Sequence, residues 1–468
     1  MSSHLEPQSF TRFGWVVCAW VLVVSFQYGY HISTLNQIQA VLTCRGRDAS
    51  IPFYYGLPSC IPMSDSTFSV VTSVFTVGGL MGSLVANLIL DRYGRKGAVR
   101  ASGALFALGA GLMTISASIG LLMFGRVLAG AGAGIGLCVG PIYLSELAPP
   151  RIKGSVGVLT QLAIVIGIMV TQAMGLQMAT PTQWRFVLMF SSGLSVAQLL
   201  VSPLVVETPV WLKRRGELAD LKAVEQRLWK YDVSDADNSA ADVEDPLLEE
   251  GEEEEEDHPS LAAERTHSVS VFQLLTARQL RRPFFVASFG MLAQQLSGIN
   301  AVLYYSNDIL SKSLPDMGPY ISLGITIVNV LMTAPPIFLI ERWGRRTLLL
   351  LSSVGAVLSL ILVGYGLDSS AVTLASVAIM TFVTSFATGL GPVPFVIIPE
   401  VSPSNAVAAL SSVALSLNWV ANFFVGLVFL PLRNILSGGD VEREGRVFYV
   451  FAAALSLSTL GLLRSYRG

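Results

Sequence analysis

Charge is scarce in this chain. Asp, Glu, Lys and Arg make up only 13% of its 468 residues, about half the share of a soluble domain. It is also unevenly spread: 29 of the 62 charged side chains fall between Glu207 and Arg282. The other 33 cannot clothe a water-exposed surface of nearly four hundred residues. With 52% hydrophobic residues and a mean hydropathy of +0.60, the chain is an integral membrane protein. A soluble enzyme, a nucleic-acid binder and a disordered scaffold are excluded. Cysteine and histidine are also sparse, four of each. Four cysteines are too few for a disulfide scaffold. Cys18 and Cys138 lie in apolar runs and read as core packing. Cys44 and Cys60 share a polar loop and could pair if it faces a lumen or the exterior. The four histidines form no metal-ligand cluster, no nucleophile–base pair is evident, and no cofactor is called for. The first apolar run, from Gly14, is too long for a signal peptide and lacks a small-residue cleavage site, so it reads as an uncleaved span.

Apolar runs long enough to cross a bilayer, about 20 residues each, recur at 14–35, 67–90, 97–117, 121–143, 155–178 and 184–206. Six more follow at 284–311, 319–340, 347–366, 372–399, 408–431 and 447–463. The organisation is a short N-terminus (1–13), six spans (14–206), a linker (207–283) and six spans (284–468). Gly389, Gly391, Pro392, Pro394 and Pro399 predict a broken tenth span. Membranes tolerate such a break only where the freed backbone is buried in protein or lines a wet cavity.

Short-loop bases set the orientation. Arg92, Arg95, Lys96 and Arg100 follow span two, Arg151 and Lys153 follow span four, and Arg342, Arg345 and Arg346 follow span eight. All these loops share one side with the linker and both termini, which is therefore cytoplasmic. The linker carries 19 acids and 10 bases over 207–282. Its flanks, 207–230 and 264–282, have amphipathic helical composition. The middle, 232–262, with an acidic run from Glu252 to Asp257, cannot bury enough apolar surface to order itself. Glu244-Asp245-Pro246-Leu247-Leu248 resembles an acidic dileucine signal with imperfect spacing, so sorting machinery is a candidate partner and a solvated linker the simpler account.

The two halves echo each other. Asp91-Arg92-Tyr93-Gly94-Arg95-Lys96 closes span two, and Glu341-Arg342-Trp343-Gly344-Arg345-Arg346 closes span eight. Glu146 and Glu400 follow at comparable distances. Each glycine allows a tight turn at the membrane surface, and the arginines can pair with acids on neighbouring helix ends. Such partly exposed pairs are worth about 0–1 kcal/mol each. A network that forms in one conformation and breaks in another is a latch for a bistable machine. Its expected members are Asp91, Arg92, Arg95, Glu146, Arg151, Glu341, Arg342, Arg345, Arg346 and Glu400. Simple positive-inside anchoring explains the bases but not the repeated acids.

At this point the sequence resembles the sugar porter family of the major facilitator superfamily, which includes the facilitative glucose transporters. The most specific marks are Gln294-Gln295-Leu296-Ser297-Gly298-Ile299-Asn300 and Tyr304-Tyr305. Gly125-Arg126, Gln161, Glu207-Thr208-Pro209 and Gly391-Pro392-Val393-Pro394 add to them. The resemblance implies an all-α membrane protein of twelve transmembrane helices in two pseudo-symmetric six-helix bundles, opening alternately to each side of a central site.

The intramembrane polar residues make the same case physically. Gln161, Gln294, Gln295, Asn300, Asn329, Asn418 and Asn422 are amides in apolar runs. Interhelical hydrogen bonds of this kind gain only about 0.6–2 kcal/mol, and any one could be structural glue. A group of amides without opposing charge suits a neutral polyhydroxyl ligand, because amides both donate and accept. The resemblance implies that Gln161, Gln294, Gln295, Asn300, Asn329 and Asn422 contact the sugar. It also implies that Tyr304 and Tyr305 close the outer side and that Trp419 packs on the ring's apolar face.

Four departures bear on substrate. Phe395 takes the place of a tryptophan, keeping the apolar wall without a ring N–H, and Ala387 lies where glucose facilitators carry an acid. Val407 replaces a cytoplasmic arginine, and the terminal Pro-Glu-Thr segment usual in the family is not found before Gly468. Fourth, in Gly29-Tyr30-His31 a histidine occupies a position that is Asp in proton-coupled porters and Asn in facilitators. Paired with Arg126, His31 is either a proton-coupling residue or a neutral stand-in for asparagine.

The glycines from Gly130 to Gly136 superficially resemble a nucleotide loop. They sit inside a span with no strand before them, and small residues at this spacing let membrane helices pack closely. The expected function is transport of a hexose or related neutral polyol by alternating access, by facilitated diffusion or linked to protons. Binding is expected near millimolar, about −4 kcal/mol. A non-transporting sugar sensor on the same fold is the alternative. The membrane is vacuolar or lysosomal, or the plasma membrane, with the acidic linker and His31 tilting toward an acidic organelle.

Overall fold

The computed structural model describes residues 9–44, 56–230, 269–300, 318–438, 440 and 443–466. Tyr304 and Tyr305, the acidic run and the dileucine-like segment lie outside the described residues.

Among the described residues the apolar runs are helical; the end of the seventh expected span, 301–311, lies outside them. The N-terminal half contains α1 (Arg12–Leu42), α2 (Asp65–Thr114), α3 (Ile119–Leu147), α4 (Lys153–Met178) and α5 (Trp184–Val201). Spans two and three are the two arms of α2, which turns at Gly94. Thr11, Ser64 and Ser118 cap α1, α2 and α3 by accepting a backbone N–H from the first turn, a role for which their short hydroxyl side chains are suited. In the linker, α6 (Pro209–Arg215) and α7 (Leu218–Leu228) precede a two-residue strand β2 (Trp229–Lys230), which pairs antiparallel with β1 (Ser9–Phe10). A short helix α8 (Val271–Thr276) leads into the second half.

That half comprises α9 (Arg281–Leu296), α10 (Gly318–Thr333), α11 (Pro335–Asp368), α12 (Val372–Thr388), α13 (Val393–Val401), α14 (Val407–Ser437) and α15 (Arg446–Ser465). Span eight is α10 and the first arm of α11. Span nine is the second arm, after a turn at Gly344. Span ten is broken between α12 and α13, as its glycines and prolines predict. The freed backbone there is satisfied within the protein. Leu390 N–H donates to Ser352 Oγ at 2.8 Å, while the Leu390 and Gly391 carbonyls accept from Gln294 Nε2 at 3.2 and 2.9 Å.

The glycine-rich run of α3 packs against α2. A Cβ on Gly130 or Gly134 would overlap the carbonyl of Phe75 or Gly79, and one on Gly78 or Gly82 would meet that of Val127 or Ala131. Backbones this close have no room for side chains, which confirms the packing account of these glycines. Outward faces carry exposed Leu88, Leu108, Leu200, Leu358 and Leu457. Acyl chains, not water, suit such a surface. In the polar loop after α1, Cys44 and Cys60 form a disulfide, while Cys18 and Cys138 are free and buried.

Candidate functional site

The amide cluster is assembled from α9, Asn300 just after it, and α14. Gln294 and Gln295 are adjacent on α9 and fan to either side of Asn418 on α14. Asn418 Nδ2 donates to Gln294 Oε1 at 3.0 Å, and Gln295 Nε2 donates to Asn418 Oδ1 at 3.3 Å. Asn300 Nδ2 then reaches Gln295 Oε1 at 3.3 Å and Asn422 Oδ1 at 2.7 Å. Asn418 and Asn422 are one helical turn apart, which puts them on the same face. The structure thus joins five of the predicted amides into one chain of hydrogen bonds. Gln294 also holds the span-ten break, so it is partly structural.

Gln161, on α4 of the other half, is buried with its amide against Gly391. Asn329 lies on α10, which packs against α4; its Oδ1 is buried without a hydrogen-bond partner among the described residues. Phe395 is buried on α13. Trp419 bridges the halves: its ring meets Tyr28 and Phe75 edge-on, at 5.6 and 5.9 Å between centroids, and is seated on Gly79. Its buried Nε1–H has no partner among the described residues. A buried acceptor and a buried donor without partners are what a hydroxylated ligand would satisfy.

His31 is fully buried on α1, stacked on Phe106 at 5.4 Å and on Phe75 at 6.3 Å. Its Nε2 lies 2.7 Å from Ser191 Oγ. The Ser191 hydroxyl donates to Gln27 Oε1 at 2.6 Å, so it accepts from His31, and the imidazole carries its proton on Nε2. Arg126 does approach His31, but through the main chain: Nη1 donates to the His31 carbonyl at 2.8 Å. Its guanidinium also lies over the Phe75 ring, 4.6 Å from the centroid. The partners Gln27 and Ser191 carry no motif that would single them out in the sequence.

At the basic-loop ends of the two bundles the repeated motif folds twice in similar fashion. Gly94 and Gly344 adopt φ of 73° and 77°, the left-handed region that glycine enters without cost. In the first half Arg95 grips Glu146 with both ends of its fork, at 2.8 and 2.5 Å. The Arg95 side chain is 0% exposed and Glu146 10%. The expectation of partly exposed pairs is therefore wrong for this half: Trp211 covers the guanidinium at 5.3 Å and keeps water out. Thr208 Oγ1 donates to Glu146 at 2.6 Å. Glu207 accepts the backbone N–H groups of Arg95, Lys96 and Thr208 at 3.0–3.2 Å. It caps the second arm of α2, where an anion is favoured by the helix dipole. Burial nevertheless pushes its carboxyl above the usual range, against these N–H donors and Arg95. Sequence reasoning noted Glu207 and Thr208 only as family marks and missed this role.

In the second half Arg345 binds Glu400 at 2.7 Å and Glu341 at 2.9 Å, all partly exposed. Glu341 also crosses to the other half, where its Oε1 accepts Gly154 N–H at 2.7 Å and Ser155 N–H at 3.2 Å. Ser155 Oγ donates to the Ile337 carbonyl at 2.6 Å beside it. Arg92 lies over the Tyr93 ring at 5.5 Å, and Asp91 acts electrostatically on Arg214. Arg151, Arg342 and Arg346 are exposed, with no ion pair among the described residues.

The sequence matches the family described as "Sugar (and other) transporter" over residues 17–463. It is 32% identical over 443 residues to the "Probable metabolite transport protein YBR241C" of Saccharomyces cerevisiae, covering 92% of this chain and 88% of that protein. It is 35% identical over 469 residues to "Solute carrier family 2, facilitated glucose transporter member 4" of Mus musculus, again covering 92% and 88%. In fold it is similar to the major facilitator superfamily proton:xylose symporter XylE bound to 6-bromo-6-deoxy-D-glucose. The TM-score is 0.75 at 17% identity, covering 97% of this chain and 95% of that one. With a family match spanning nearly the whole chain and relatives above 30% identity, the protein belongs to the sugar (and other) transporter family, as a multi-pass transport protein of the major facilitator fold.

Proposed function

We propose that the chain carries a neutral hexose-sized polyol down its gradient by alternating access, binding it on the amide chain of α9 and α14. The supporting observation is the linked set Gln294–Asn418–Gln295–Asn300–Asn422, continuous from α9 and the residues after it to α14 and without a charged member. Each amide has two donor hydrogens and an acceptor oxygen, so groups remain for sugar hydroxyls after the internal bonds are made. An ionic substrate would leave these amides facing an uncompensated charge.

Facilitated diffusion is favoured over proton coupling because His31 is committed to Ser191 through Nε2, and Arg126 donates to its carbonyl rather than to its ring. It is built as a neutral link between α1 and α5. The Cys44–Cys60 disulfide supports an orientation in which the loop after α1 faces an oxidising compartment, the exterior or an organelle lumen, opposite the basic loops.

Competition binding tests the substrate class. D-glucose and myo-inositol should compete with one another at millimolar concentration, and glucuronate should not. Asn422→Ala should weaken binding by about tenfold, the loss of one well-made hydrogen bond to the ligand and its partner. Equal binding of charged and neutral sugars would overturn the assignment.

A further inference from the structure

Well inside the cytoplasmic ends, the halves meet on serines. Ser411, Ser412 and Ser416 occupy the start of α14. Ser411 Oγ donates to the Cys138 carbonyl of α3 at 3.3 Å. Ser412 Oγ donates to the Ser83 carbonyl of α2. Ser416 Oγ lies 2.9 Å from Ser83 Oγ. The direction of this last bond follows from proton counting: Ser83 Oγ already donates its hydrogen to the Leu80 carbonyl at 2.9 Å. A hydroxyl has one hydrogen, so Ser416 is the donor. All three bonds therefore run one way, from hydroxyls of the second half to oxygens of the first.

All four serines are buried. Ser83 lies about two helical turns inward from Asp91, and Cys138 about two turns inward from Glu146. The seam is thus a separate layer inward of the charged contact of Glu341 with Gly154, and one turn further inward Trp419 rests on Gly79. Two of the acceptors are main-chain carbonyls inside helices, each with a second lone pair to spare. Each of these bonds joins one half to the other, and none lies within a single half. They form only when the cytoplasmic faces of the two bundles touch.

We propose that Ser411, Ser412 and Ser416 are the donors of an uncharged inner gate. This gate closes the cytoplasmic side of the transport path and parts when the site opens inward. The inference rests on alternating access, the family's mode of action, and not on which sugar is carried. Hydroxyl-to-carbonyl bonds suit a gate that must break on every cycle, since each contributes little and leaves no buried charge behind. Each serine then adds one modest increment to the cost of opening.

The chain carries its own reporter. Cys138 is free and buried at this seam, where its thiol also meets the Ser411 hydroxyl, and Cys18 is free and buried on α1. Alkylation by N-ethylmaleimide, followed site by site by peptide mass spectrometry, reads opening of the inner gate as the rate at Cys138. Cys18 serves as internal control. Ser412→Ala/Ser416→Ala removes two donors with almost no change in volume. It should raise the Cys138 rate about tenfold, two modest bonds' worth of population shift, with Cys18 unchanged. Ser359→Ala, which removes a buried serine bonded within its own helix to Gly355, should leave both rates alone. An unchanged Cys138 rate in the double variant, or equal rises at Cys138 and Cys18, would overturn the gate. A variant that labels as expected in a protein that carries no sugar would leave the gate standing and sink the substrate assignment alone.

Discussion

Glu341, at the end of span eight, accepts the backbone N–H of Gly154 at 2.7 Å, joining the second bundle to the first amino-terminal turn of α4. Its other oxygen holds Arg345 at 2.9 Å. One carboxylate therefore caps a helix in one half while pairing with a cation in the other. Because the helix dipole favours an anion at that end, the contact draws the basic-loop faces of the two bundles together. It must break for the site to open inward. Glu341→Ala should lower the outward-facing population and cut sugar uptake at least about fivefold, an effect of about 1 kcal/mol. Arg342→Ala, one residue on and exposed, should leave uptake within about twofold. Uptake in proteoliposomes compares the two; equal losses would assign both to general charge.

The Arg95–Glu146 pair is buried where Arg345–Glu400 is partly exposed. Breaking a buried pair strands a charge at a cost of about 3–5 kcal/mol, against about 1 kcal/mol or less for an exposed one. Glu146→Ala should therefore lower the melting temperature in detergent far more than Glu400→Ala. Comparable shifts would show that the first pair is hydrated.

His31→Asn should keep uptake within about twofold and leave its dependence on pH unchanged between about pH 5 and pH 8. The amide can still donate toward Ser191. A wild-type profile that rises on acidification and flattens in the variant would establish proton coupling through His31.

The Cys44–Cys60 bridge closes a loop of 16 residues in sequence separation, worth about 3 kcal/mol by chain entropy. Cys60→Ser should lower the melting temperature, and reduction of the wild type should reproduce the loss. Labelling of Cys18 by N-ethylmaleimide should be unaffected, since it is buried in α1, away from the loop. No shift on reduction would mean that the loop is held without the bridge.

What could be read from the sequence has a common physical origin. Spans are legible because hydrocarbon demands long apolar runs. The turns at Gly94 and Gly344 are legible because the same acid–Arg–aromatic–Gly pattern recurs. The broken span ten announces itself in its glycines and prolines. The amide chain was legible as a set of residues, though not as a linked order. The contacts that escaped are those ending on the main chain. Glu341 meets the N–H of Gly154, Arg126 meets the carbonyl of His31, and Ser412 meets the carbonyl of Ser83. A backbone group carries no residue signature, so only tertiary placement reveals such a partner. The burial of Arg95 escaped for a related reason: its shield, Trp211, comes from the linker, distant in sequence and bound by no repeat.

The central claim is that the amide chain of α9 and α14 binds a neutral sugar that the two bundles then pass across the membrane. Uptake of labelled hexoses and polyols into proteoliposomes, with and without an imposed pH gradient, tests it most directly. The account predicts saturable uptake of at least one neutral sugar, no accumulation above equilibrium with the gradient, and a raised KM in Asn422→Ala. Binding of sugar without any uptake would contradict it, and would make the protein a sensor built on a transporter fold.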